Sequence, residues 1–242
     1  MVLGSFLFAL GFAGVHLATS RLPTTGVVPR SVWLSLAGGV SVAYVFLHLL
    51  PGLVARGAKV GLELGLAENV SATVVFMVAL LGLTGFYGLE NLVAKRRRAP
   101  GGVGGEVVDL QVFSIHLGSF AAYNVLIGYL LVQRETEGWR ELVTFGIAMA
   151  THFLSADVGL HQDHAARYDR FARWLLAGAV LAGWALGQLV EVSGLAIGLL
   201  YALLAGGVIL NVMKEELPED RQSRFWAFLL GVCGYSGILV LA

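Results

Sequence analysis

Thr151–His164 reads THFLSADVGLHQDH and closes the strongly apolar segment Leu142–Val158. It holds three of the six histidines, His152, His161 and His164, and two aspartates, Asp157 and Asp163. An ionisable side chain inside a membrane span is costly and marks a functional position by default. The fold therefore turns on whether this segment crosses a bilayer.

Composition says that it does. Hydrophobic residues make up 57% of the 242 positions and charged residues 13%, about half the roughly 25% charge of soluble domains. Several apolar runs approach the ~20 residues that a helix needs to cross the hydrocarbon. The chain reads as an all-α polytopic membrane protein. Its 32 glycines suit close helix packing in lipid. A net charge of zero gives no reason to expect nucleic acid as a partner. The single cysteine, Cys233, leaves no disulfide framework and no cysteine-built zinc site.

Working outward from Thr151–His164, the apolar runs predict eight transmembrane helices. They are Val2–Ser20, Ser31–Val54, Val70–Val93, Gln111–Gln133, Leu142–Val158, Phe171–Val190, Ser193–Met213 and Phe225–Ala242. The fifth helix is expected to run on toward His164. The first run has no basic stretch before it and reads as a retained span, not a cleaved signal. Lys95–Arg98 and the following glycine-rich stretch read as a cytoplasmic anchor and a loose loop, with anionic lipid headgroups as the sharper alternative.

Counting basic residues orients the chain. With the N-terminus outside, connectors 20–30, 94–110, 159–173 and 214–224 lie inside and hold twelve of the sixteen Lys and Arg residues. Connectors 55–69 and 134–140 lie outside and hold the other four. This bias follows the positive-inside rule and puts both termini on the extracytoplasmic side.

Residues 1–94 and 171–242 each hold three spans, flanking the central pair in 111–158. The middle helix of each triplet approaches a Leu-Pro step, Leu50-Pro51 and Leu217-Pro218. Three spans per unit invert the second copy in the membrane, as in transporters built from inverted repeats.

These features resemble the ZIP family of divalent metal transporters over nearly the whole chain. His48-Leu-Leu-Pro51 is similar to that family's span-two ending, with Gly52 where an acidic residue is common, and Glu216-Leu-Pro-Glu219 resembles its span-seven ending. Tyr123-Asn124-Val125-Leu126-Ile127-Gly128 matches the span-four motif without its histidine and carboxylate. His152-Phe153-Leu154-Ser155-Ala156-Asp157 matches the span-five motif at its first histidine and last acid. The resemblance implies eight spans arranged 3+2+3 with inverted outer triplets, and a metal site between spans four and five. It leaves Asn124 and His152 as metal ligands, Asp157 nearby and Tyr123 as a weak substitute. A zinc site needs about four N, O or S ligands, so the remainder must come from elsewhere.

Spacing suggests candidates. His116 shares a helical stripe with Tyr123. Asp157, His161 and His164, at i, i+4 and i+7, share a face toward the cytoplasmic end and could form a metal exit site or a proton relay. Against this stand bland readings: single histidines such as His16 and His116 often bond a neighbouring helix, and His161 and His164 sit where solvated polar residues are ordinary.

The expected function is transport of a zinc-type divalent cation by alternating access, in a multi-pass cell membrane protein (a bacterial inner membrane protein if the source is prokaryotic). The expected partners are the bilayer, the divalent ion and a second copy of the chain. The alternative is a ZIP-fold sensor or scaffold that has lost its metal. An intramembrane zinc hydrolase, suggested by Ser155 beside Asp157, fits the eight spans and Leu-Pro endings less well, and no enzyme is expected.

Overall fold

A computed structural model describes residues 2–21, 30–98, 105–216 and 224–241. All regular structure among these is helical. The helices are α1 (Val2–Ala18), α2 (Arg30–Tyr44), α3 (Leu50–Leu64), α4 (Glu68–Arg98), α5 (Gly105–Glu137), α6 (Trp139–Arg167), α7 (Arg173–Leu189), α8 (Gly194–Asn211) and α9 (Phe225–Leu241). Among the described residues, six helical stretches are long and apolar enough to cross a membrane, and α9 is a shorter apolar helix. Their outward faces carry large apolar side chains, such as Leu3, Leu7 and Leu10 on α1 and Phe76, Met77, Leu80 and Leu81 on α4. Such a surface suits hydrocarbon, and the chain is a multi-pass membrane protein. The expected turn at 22–29, the loop at 99–104 and the second Leu-Pro step lie outside the described residues.

Pro51 does not end the second span, contrary to the connector expected over 55–69. A π-helical turn, Val45–Leu49, joins α2 to α3, and the Leu50 N–H bonds back to Val45 O. Proline lacks an N–H and collides with the carbonyl four residues earlier. The wider turn accommodates it in the first turn of α3. The helix then runs to Leu64 and stops at Gly65, whose φ of 66° is the left-handed cap that glycine adopts freely.

Three helix pairs cross at facing glycines. α2 meets α9 at Gly39 and Gly231, α4 meets α8 at Gly82 and Gly206, and α5 meets α7 at Gly128 and Gly183. The contacts are reciprocal: a Cβ on Gly39 would strike Phe228 O, and one on Gly231 would strike Leu36 O. With no side chain between them the backbones touch, which is how helices gain packing energy in lipid. Gly39 and Gly206 stand 167 positions apart, as do the π-helical turns Val45–Leu49 and Val212–Glu216.

Side-chain bonds collect the chain reversals at two ends. At one end, Ser5 Oγ donates to Glu135, Arg56 pairs with Glu137, Leu195 N–H donates to Glu63, and Arg140 donates to Leu239 O. The N-terminal helix therefore begins, and the C-terminal helix finishes, at the same end of the bundle. At the other, Arg173 reaches Ser20 and Arg224 N–H donates to Ser35.

α6 bends back at His164, whose φ of −145° and ψ of 49° leave the helical region. In a straight helix Asp157 and Tyr168 would lie ~16 Å apart along the axis. Their side chains are instead 2.7 Å apart. A third π-helical turn, Tyr168–Ala172, leads into α7.

Candidate functional site

His16 on α1 is fully buried and lies at the centre of a polar network within the apolar bundle. Its Nδ1 is 2.7 Å from Asp157 Oδ2 on α6, and its Nε2 is 2.7 Å from Asn124 Oδ1 on α5. The Asn124 amide nitrogen donates to Phe120 O at 2.9 Å. That fixes Oδ1 toward His16, so Nε2 carries a hydrogen. Tyr168 completes the network, its hydroxyl lying 2.7 Å from Asp157 Oδ2 and 2.9 Å from His16 O. Burial and the neighbouring Asp157 side chain raise the Tyr168 phenol far above its ordinary range, so it remains a donor.

The local sequence explains the convergence. Asp157 is 2% exposed and Asn124 3%, and neither could stay in an apolar interior without partners. α5 and α6 present them to α1, and the reversal at His164 returns Tyr168 to the same place. Phe153 packs its ring on both His16 and Phe12, closing the network's apolar side.

Beside the network is a small cavity of about 20 Å³, lined by His16, Asn124, His152, Asp157, Tyr123 and Asn211 among others. That volume admits one water-sized guest. His152 is 6% exposed, and its Nδ1 lies 3.4 Å from the Asn211 amide nitrogen on α8. Tyr123 turns its hydroxyl to the carbonyls of Leu203 and Leu204 at 3.2 and 3.0 Å. Four residues expected from the sequence, Asn124, His152, Asp157 and Tyr123, thus line one cavity.

The other three lie elsewhere. His116 is half-buried against the Phe120 ring and does not line the cavity. His161 Nε2 is 3.6 Å from Asp169 Oδ2, while His164 packs edge-on to Phe113. The bend at His164 returns Asp169 and Tyr168 to this segment, where they pair with His161 and Asp157. Among the described residues, no three His, Cys, Asp or Glu side chains are arranged to hold a metal ion.

Sequence reasoning leaves His16 between a functional histidine and one that only bonds a neighbouring helix, and does not single out Tyr168 or Asn211. A polar residue within an apolar run is the available signal for His16 and Asn211. Nothing in the sequence signals Tyr168, because its place depends on the bend. No protein-family model matches the chain, and no curated protein matches it.

Proposed function

We propose that this protein is an eight-span, ZIP-like transporter of a small divalent cation, arranged 3+2+3 with inverted outer triplets and both termini outside. The observation that carries the reading is the meeting of His16, Asn124, His152 and Asp157 at one small cavity. They offer two imidazoles, a carboxylate and an amide oxygen, a donor set suited to zinc-type ions. The cavity's size fits a bare ion better than a hydrated one. The recurrence of the crossing glycine and the π-helical turn at one spacing supports the inverted triplets. Loading the ion requires His16 to exchange its bonds to Asp157 and Asn124 for bonds to metal.

A second reading is a ZIP-fold protein that binds no metal and acts as a sensor or scaffold. It is favoured by the closure of the network on its own hydrogen bonds and by the lack of a metal-ready group among the described residues. Equilibrium dialysis of the purified protein against zinc separates the two. Transport chemistry gives one tightly held equivalent, weakened about tenfold or more by His152→Ala, on the order of a ligand's worth of binding energy. The scaffold reading gives no stoichiometric zinc.

A further inference from the structure

A second cavity, of about 630 Å³, opens at the end of the bundle where the N-terminal helix begins and the C-terminal helix finishes. α3, α5, α6 and α9 form its walls, and its size falls within the roughly 300–1,000 Å³ of small-molecule sites. Arg56, Lys59, Arg134 and Arg140 line it against two carboxylates, Glu137 and Glu141.

Both carboxylates are engaged. Glu137 lies 2.6 Å from Arg56 and 2.6 Å from Arg134, and Glu141 lies 3.1 Å from His48 and 3.6 Å from Arg134. Lys59 and Arg140 are exposed and add two positive charges that neither carboxylate contacts. Arg134 is only 4% exposed. Its guanidinium lies over the rings of Tyr201 and Phe145, and its Nη2 has no hydrogen-bond acceptor among the described residues. A buried guanidinium has a strong demand for acceptors, and its planar fork matches the two oxygens of an oxyanion.

We infer that this cavity binds a phosphate-type oxyanion, at a site separate from the central cation cavity. The excess of cationic groups supplies the attraction, and Arg134 supplies a rigid, stacked donor. The same chemistry would take a free phosphate or the headgroup of an anionic lipid, whose chains could lie along the apolar rim at Leu47, Leu239 and Val240.

The test uses the full chain in phosphatidylcholine nanodiscs. In one arm, inorganic phosphate is titrated by calorimetry. In the other, discs containing phosphatidylglycerol are exchanged and retained lipid is measured by native mass spectrometry. One saturable equivalent is expected in one of the two arms. Binding to phosphate assigns a free solute, and retention of lipid alone assigns a headgroup. The Lys59→Gln/Arg140→Gln pair should weaken that binding about tenfold, the effect of losing charge-assisted contacts. Arg134→Gln should abolish it, but because that buried change can disturb folding, the exposed pair is the deciding variant. No saturable equivalent in either arm, or equal affinity in the wild type and the exposed pair, overturns the inference.

Discussion

Asp157→Ala is expected to destabilise the protein by on the order of 3–5 kcal/mol, the cost of removing one member of a buried, paired set. The substitution takes away the partner of His16 Nδ1 and an acceptor for the Tyr168 hydroxyl. Both groups are buried, so each is left short of a partner at a desolvation cost. The network ties α1 to α6 and to the turn that leads into α7, so the loss should appear as a lower thermal midpoint in detergent. Asp157→Asn keeps the shape and one acceptor oxygen and should recover part of the stability. A wild-type midpoint for Asp157→Ala would mean that the network contributes little to the fold.

Gly206→Leu is expected to cost about 3 kcal/mol, the upper end of overpacking penalties. Its Cβ would enter the backbone of α4 at Ala79 O, which no rotamer change relieves. α8 must then move away from α4, taking Tyr201 and Asn211 with it. Gly178→Leu is the matched control, because that position opens on empty space and should change stability by less than about 0.5 kcal/mol. Equal midpoints for the two variants would contradict the close helix crossing.

The fold class was legible because composition and run length act on every residue: a chain this apolar has few alternatives to membrane helices. The site was legible where a polar residue interrupts an apolar run. Asn124, His152 and Asp157 announce themselves in that way, and they line one cavity. What could not be read is which helix faces which. A single histidine in α1 carries no information about its partner, so His16 emerges only when α1 packs between α5 and α6. The bend at His164 was equally hidden. An i, i+4, i+7 pattern assumes an unbroken helix, and one non-helical residue at His164 brings Tyr168 and Asp169 back as partners of Asp157 and His161. Pro51 misleads for a related reason: proline often follows a helix end, but a π-helical turn before it lets this one continue to Leu64.

The proposed transport requires the central cavity to admit a divalent cation and pass it across the membrane. Uptake of radiolabelled zinc into proteoliposomes tests that most directly, with wild type and His152→Ala reconstituted at equal, folded amounts. The expected result is saturable accumulation by the wild type, reduced to the level of empty liposomes in the variant. Wild-type uptake no greater than that of empty liposomes, or undiminished uptake by His152→Ala, would contradict it.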